Sequence, residues 1–569
     1  MDEDLRERVE REAERAALFN ALKHGSDAQV GAIMGPLMGE NPDFREHGDR
    51  IPGVIAPVIE RVNGLDESAK RDRLEELDPE AVEELDAEEE EDEHDLPDLS
   101  NTDDGVKMRA APNPNGPWHI GHARMPAVIG TYAERYDGEF IVRFDDTDPE
   151  TKRPDLDAYD AILEDIEYLG FEPSEVYRAS DRLDIYYEHA RELIDAGGAY
   201  TCTCPQGDFS ELKNSGEACP HREKDAETVH EEFDAMVDGE YESGDVVLRV
   251  RTDIDHKNPA LRDFVAFRMI DTPHPREEAA DYRCWPMLDF QSGIDDHLTG
   301  VTHIIRGIDL QDSAKKQRFV YNYFGWEYPE VVHWGHVQVD AYDVKLSTST
   351  LKEKIGAGEY DGWDDPRVPT IKSLRRRGIR GQAIVDAMVE LGTSTSDVDL
   401  PISNIYAHNR ELVDDETDRA FAVREGVRFE VAGGPGSAHP PVHPDHEDRG
   451  ERDIPVGDSV MLEPDDVPEV GERVWLKGFG PFGREGDTLV YTDESIDIVR
   501  EKDVPVVHWV PTDGSVSVRM RTMDGDVACF AEPGIESYDE GDLLQFERIG
   551  FVRIDEQTDR ETVVYFTHE

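Results

Sequence analysis

Apolar residues recur at helical spacing near the start of the chain, at Leu5, Val9, Ala13, Ala16, Leu18 and Leu22 and again at Ile33, Leu37, Val54, Ile55, Val58 and Ile59. That pattern predicts a small helical module over residues 1–77. Residues 78–104 carry a block of acidic side chains followed by Pro, Ser and Asn, and read as a flexible acidic linker. From Val106 the period changes. VKMRAA predicts a strand, PNPNGPW a tight loop, His119 to Tyr136 a helix and EFIVRF a second strand, a βαβ unit and hence a parallel sheet. Helical stretches follow over about 156–196, and a cysteine-bearing mixed segment at about 200–285 interrupts the alternation. LTGVTHIIRG, a helix near 312–323 and VVHWGHVQV then restore it. Residues 105–349 therefore read as one α/β domain with an insertion, and 350–410 as a helical region. Residues 411–569 alternate apolar and polar positions in short runs (RVWLKGF, TLVYT, VPVVHWV, SVSVRMR), broken by Gly, Asp and Pro every 8 to 12 residues. Such spacing predicts β-barrels.

Composition changes the picture of the surface. The chain has 569 residues, and 60 Lys and Arg against 130 Asp and Glu give a net charge of −70. The acidic residues are interleaved with the periodic apolar segments from end to end, which implies a folded chain with an acidic skin rather than disorder. Such a surface repels itself over a Debye length of about 8 Å in dilute buffer and about 3 Å at 1 M salt, so the composition points to a salt-rich cytoplasm. No run approaches 20 consecutive apolar residues, and the N-terminus MDEDLRERVEREAERAAL is charged where a signal peptide needs an apolar core. The expectation is a soluble, cytoplasmic protein that makes no membrane contact.

Two local patterns carry chemistry. Pro112-Asn113-Pro114-Asn115-Gly116-Pro117-Trp118-His119-Ile120-Gly121-His122 forms a loop between a strand and a helix N-terminus. Free backbone N–H groups and the helix dipole favour phosphate there, two histidines can donate to it, and Gly121 admits a nucleotide close to the backbone. The second pattern is Cys202-x-Cys204 with Cys219-x-His221, three thiolates and an imidazole, a closed tetrahedral set suited to structural zinc. Cys284 and Cys529 have no such partners and read as small core residues.

AAPNPNGPWHIGHAR followed by FIVRFDDTDPE resembles the signature of the class I aminoacyl-tRNA synthetases, in the form found in the glutamyl and glutaminyl enzymes of the archaeal and eukaryotic branch. The likeness continues through WPMLDFQSGIDDHLTGVTHIIRG, TIKSLRRRGIRGQAI, VVHWVP and LLQFERIGFVRID, and so covers roughly residues 105–569. The resemblance implies a Rossmann-type catalytic domain with an inserted acceptor-end domain, a helical connector that contacts the tRNA stem, and C-terminal β-barrels that read the anticodon.

It also implies site residues. His119, His122 and Lys345 would stabilise the charge developing on ATP, which would lie along residues 112–118, Ile120, Gly121 and the second loop Leu346-Ser347-Thr348-Ser349. In that second loop, of KMSKS type, Thr348 stands where the family has a lysine. Either Lys345 alone meets the phosphates, or Lys352 or Lys354 reaches back. For the amino acid, Arg306 occupies the position after THII that is arginine in glutamyl enzymes, and Arg109 matches the other pocket arginine. Two guanidinium groups suit two carboxylates, whereas a carboxamide leaves a buried Arg unpaired. Which arginine takes which carboxylate stays open. Asp145 matches the residue that holds the α-ammonium, and Asn113 lies close enough to assist. Leu288-Asp289-Phe290 replaces the YDF common in relatives, which removes a hydroxyl near the substrate. Arg375, Arg376, Arg377 and Arg380 match a stretch lying along the inside of the tRNA.

The expected activity is therefore ATP-dependent ligation of L-glutamate to tRNA(Glu), with tRNA(Gln) as a second acceptor left open, Mg²⁺ accompanying ATP, and structural zinc similar to that of some glutamyl enzymes. The alternatives are a glutaminyl enzyme, a non-ligase nucleotidyltransferase and an RNA-binding scaffold. The N-terminal module is consistent with docking a protein partner or with simple acidic solubilisation.

Overall fold

The structure is a computed structural model, and it describes residues 3–24, 28, 30, 33–34, 37, 44, 50–65, 67–78, 81–82, 96–340, 342, 347–492 and 504–569. Two compact units are present, residues 1–97 and 98–569. In the first, helices α1 (Glu3–His24), α2 (Ile51–Asn63) and α3 (Glu67–Leu77) enclose a small core. Val9, Ala13, Ala17 and Ala21 recur every four residues, so they share one face of α1. All four are buried in one cluster with Ile55, Val58, Ile59 and Val62 of α2.

The second unit starts earlier than the texture change at Val106. Leu99 is buried, its N–H donates to the Tyr136 hydroxyl at 2.9 Å, and Ser100 O lies 2.8 Å from His303 Nε2. The linker expected over 78–104 therefore ends before Leu99, where polar residues in the sequence conceal backbone groups bonded to the side chains of Tyr136 and His303. Residues 83–95 of the acidic run lie outside the described residues.

Five parallel strands form the central sheet: β1 (Lys107–Ala110), β2 (Glu139–Phe144), β3 (Glu175–Arg178), β8 (His303–Gly307) and β9 (Glu330–Trp334), in the order β3-β2-β1-β8-β9. Their apolar runs are covered by crossover helices, including α4 (Arg124–Arg135), α5 (Leu156–Tyr168), α9 (Leu288–Leu298) and α10 (Gln311–Phe324). Strand order reverses between β1 and β8, where Met108 pairs with His303. Connections on either side of such a point diverge to opposite faces and leave a crevice at the carboxyl ends of the strands. The cleft lies there.

Between β3 and β8 the chain leaves the sheet to build an antiparallel four-stranded sheet from β4 (Ala199–Cys202), β5 (Val247–Val250), β6 (Val265–Met269) and β7 (Cys284–Pro286). Phe233, Phe267 and Trp285 sit in its core with no exposed surface. After β9 come α11 (Thr348–Gly356), α12 (Ile371–Arg377), α13 (Gly381–Val389) and α14 (Ile402–Val413). Two barrel-like sheets of seven strands end the chain. One spans Val427–Pro511; the other joins Asp418–Ala420 and Ala422–Arg424 to strands between Val516 and His568.

Candidate active site

The loop after β1 stays out of helix because Pro112, Pro114 and Pro117 each push the residue before them, Ala111, Asn113 and Gly116, towards extended backbone. It is held instead by backbone bonds to the loop after β2. Asp145 N–H donates to Pro112 O and Asp155 N–H to Pro114 O, at 2.9 and 2.8 Å, while Asn113 Nδ2 donates to Asp145 O at 2.9 Å. Helical geometry begins with a tight turn at Ile120–Ala123 that runs directly into α4. The imidazoles of His119 and His122 stack with centroids 3.7 Å apart, and both Nδ1 atoms are buried without a partner. Burial lowers the pKa of His119 to about 4, and burial together with His119 holds His122 well below the ordinary value. Both rings are therefore neutral at physiological pH, fit to donate an N–H but not to supply a charge.

Lys345 and Leu346 lie outside the described residues. Ser347 and Thr348 open α11, and they meet the first loop: a Cβ placed on Gly116 would lie 2.5 Å from Thr348 Cγ2. Of the two lysines that follow, Lys352 pairs with Asp155 at 2.5 Å, and Asp155 is the residue bonded to Pro114. Lys354 is engaged by Glu359 at 3.2 Å.

A cleft of about 550 Å³ opens at the switch point, lined by Arg109, Asn113, His122, Asp145, Arg306 and Gln317 among others. Arg109, from β1, and Arg306, from β8, converge on a carboxylate that no motif indicated, Asp296 near the end of α9. Arg109 Nε and Nη2 donate to its two oxygens at 3.0 and 3.2 Å, Arg143 Nη1 donates at 2.7 Å, and Arg306 Nη2 stands 3.8 Å away. Burial would push Asp296 up, yet Arg109 and Arg143, with Arg306 behind them, hold it at about 2. Arg143 also donates to Asp145 at 2.8 Å, and Gln291 Nε2 donates to the same Asp145 oxygen at 2.9 Å. Neighbouring Asp295 is matched by Arg182 at 2.8 Å. Three guanidinium groups thus face two carboxylates, Asp145 and Asp296, which leaves one positive charge in excess. A ligand with two carboxylates and one ammonium neutralises it.

Leu288 opens α9 on the cleft wall, 39% exposed, and Asp289 pairs with Lys316 at 2.6 Å. Arg143, Gln291, Asp296 and Gln317 were missed by sequence reasoning. Arg143 sat unremarked inside RFDDTD. Gln291 and Asp296 lie 146 and 187 residues from the groups they serve, so no local spacing signals them. Gln317 is only 11 residues from Arg306, but a lone glutamine on a helix carries no signal of its own.

The four-ligand set of the insertion is assembled. Cys202 and Cys204 Sγ lie 3.5 and 3.4 Å from Cys219 Sγ, and His221 Nδ1 lies 3.4 and 3.3 Å from Cys204 and Cys219. Edges of this length enclose a tetrahedron with a centre-to-corner distance of about 2.1 Å, close to zinc–nitrogen and zinc–thiolate bonds. His221 Nε2 is 3.2 Å from Thr203 Oγ1, an outer partner that fixes which ring nitrogen faces the thiols. A second cluster among the described residues, Glu463, Asp466 and His508, is different. Arg424 grips Glu463 and Arg548 grips Asp466, each through two bonds of 2.7 to 3.0 Å, so a cation there would face two guanidinium groups.

The arginine cluster divides. Arg377 is 1% exposed, and it donates to the carbonyls of Phe566 and Thr567 and to the Tyr406 hydroxyl. It ties α12 to the last strand. Arg376 pairs with Asp364 and Asp555. Arg375, over the Tyr168 ring at 5.0 Å, and Arg380, 3.4 Å from Glu416, are the two on the surface.

A parallel sheet whose strand order reverses at the cleft, an insertion between its halves and paired C-terminal barrels make the architecture of a class I aminoacyl-tRNA synthetase. The chain belongs to that family: the class I tRNA synthetase catalytic domain of the E and Q type matches residues 105–415, and two anti-codon binding domains of the same type match 417–497 and 506–555. Similar proteins over the full length are named glutamate--tRNA ligase. They include those of Natronomonas pharaonis, 71% identical, and Halobacterium salinarum, 68% identical, each match covering 100% of both chains. The protein of that name from Methanosarcina acetivorans is 43% identical over 98% of both chains.

Proposed function

We propose that this chain joins L-glutamate to tRNA(Glu) at the expense of ATP. Full-length relatives of that name support the reading, and the observation that carries it is the single positive excess of Arg109, Arg143 and Arg306 over Asp145 and Asp296. In the first step a carboxylate oxygen of glutamate attacks the α-phosphorus of ATP, the bond to the β-phosphate oxygen breaks, and glutamyl-adenylate and pyrophosphate result. In the second, a hydroxyl of the terminal tRNA adenosine attacks the acyl carbon; its proton is lost and AMP departs. Asp145 holds the α-ammonium, and Arg306 faces the side-chain carboxylate. His119 and His122 donate to phosphate oxygens from neutral rings, and Lys345 brings the positive charge they lack, so catalysis is positioning and charge stabilisation. Lys352, on the first-loop side of α11, is placed to supplement Lys345 where Thr348 departs from the family pattern.

Mg²⁺ accompanies ATP, held by phosphate and water. Cys202, Cys204, Cys219 and His221 would hold a zinc ion, which would fasten the two ends of the insertion's first loop. Arg375 and Arg380 meet the tRNA backbone, the barrels read the anticodon, and the N-terminal module docks a protein partner. The enzyme acts in the cytoplasm, where charged tRNA is consumed; no helix among the described residues is long and apolar enough to cross a membrane.

The experiment is aminoacylation in molar KCl of tRNA(Glu) and tRNA(Gln) separately, each with glutamate and with glutamine. Glutamate on tRNA(Glu) is expected, and glutamate on tRNA(Gln) as well identifies an enzyme that serves both. Preference for glutamine would establish the glutaminyl reading instead.

A further inference from the structure

Gln317 lies on α10 against the cleft, 1% exposed. Its side-chain oxygen accepts from Arg306 Nη1 at 3.2 Å and from the Tyr328 hydroxyl at 2.5 Å. This fixes the amide. A guanidinium can only donate, so the flipped amide would set N–H against N–H, and the oxygen must face Arg306. Nε2 is consequently turned away from both, buried, and without a partner on the protein. Arg306 Nε is in the same state. Two adjacent residues on one wall of the cleft therefore each keep a buried donor with nothing to accept from it. Buried donors left unsatisfied are costly, so the wall is built for a ligand that only accepts.

We infer that Gln317 is a specificity-determining residue whose Nε2 donates, beside Arg306, to the side-chain carboxylate of the substrate amino acid. The inference rests on the glutamate reading proposed above. A carboxylate offers lone pairs to both donors. A carboxamide offers one oxygen and brings an NH₂ group that finds only donors opposite it, so glutamine loses twice. Tyr328 serves the same end at one remove, by pinning the oxygen of Gln317. The recognition of glutamate then depends on a neutral amide locked in one orientation as much as on the charge of Arg306.

The test is ATP–pyrophosphate exchange by the full chain with tRNA(Glu) present, using Gln317→Met, which conserves volume. KM for glutamate should rise about 10–100-fold with kcat within about threefold, because the contact is made alike in the ground state and the transition state. The preference for glutamate over glutamine should fall by about 10-fold or more. An unchanged KM for glutamate would overturn the inference. If the wild type itself fails to activate glutamate, the function proposed above fails instead, so the two failures are distinguishable. A crystal structure of the wild type with a non-hydrolysable glutamyl-adenylate analogue decides the matter even if the variant does not fold. Gln317 Nε2 within about 3.2 Å of a side-chain carboxylate oxygen is expected, and a separation beyond about 4 Å, with Gln317 merely bracing Arg306, would overturn it.

Discussion

The amino-acid end of the cleft and the joint between the two C-terminal sheets are both assembled from guanidinium–carboxylate pairs, and they differ in how the pairs balance. At the joint, Arg424 meets Glu463, Arg548 meets Asp466, and Arg452 spans Glu532 and Glu547. Lys477 also meets Glu547, so four cations match four carboxylates, and Arg424 and Arg548 keep about half their side-chain surface in solvent. In the cleft the groups are almost wholly enclosed, cations outnumber anions, and Arg306 Nε and Gln317 Nε2 have no acceptor. A balanced, half-wet cluster holds two pieces of protein together. An enclosed cluster with donors to spare waits for a ligand.

The sharpest way to break the contrast is to remove the central anion of the cleft. Asp296→Ala leaves Arg109 buried without its counter-charge and Arg143 with Asp145 as its main partner, and should destabilise the catalytic unit by about 3–5 kcal/mol in urea unfolding. Pyrophosphate exchange should be lost along with it.

His119→Ala probes the phosphate end without touching that cluster. Adenylate formation should fall by about 100-fold or more while the affinity for glutamate stays within about threefold, read from kcat and KM in the same exchange assay. Burial holds the His119 pKa near 4. The wild-type rate should accordingly show no histidine inflection between about pH 6 and 8. The sign for stability follows. The unfolded chain takes up this proton below its ordinary pKa of 6.5 while the folded chain resists until about 4, so His119 erodes stability as pH falls through that window.

The smallest effect is expected at the joint. Arg548→Ala should cost about 1 kcal/mol or less in unfolding experiments, with exchange kinetics unchanged, because the guanidinium is 51% exposed and screened by water. A loss as large as that of Asp296→Ala would mean that balance and burial do not separate the two kinds of cluster.

Much of the fold was legible because its signals are local. Period 3.6 over residues 1–77, the strand–loop–helix–strand run from Val106 and the short alternating runs after 411 each announce an element within a dozen residues. The interruption at 200–285 was visible as a break in that rhythm. The site was legible only where a motif is contiguous: Arg109 and Arg306 were named, but Asp296, on which both converge, was not. An aspartate in IDDHL looks like any helical acid until the sheet order brings β1 beside β8. Arg377 shows the converse. Its neighbours made it one of four basic residues, whereas its burial against the carbonyls of Phe566 and Thr567 is a long-range event that local charge cannot report.

The reversal of strand order at β1 and β8 also sets a timetable. Arg109 must wait 187 residues for Asp296, which at about 5–20 residues per second is roughly 10–40 s of ribosomal synthesis. During that interval the insertion emerges, while Val320, which belongs to its apolar core, has yet to be made. The first half of the sheet meanwhile stands with a raw edge at β1 and with Arg109 lacking its anion. The gap in sequence that shapes the cleft therefore leaves the edge of β1 open to other partners while the chain is being made.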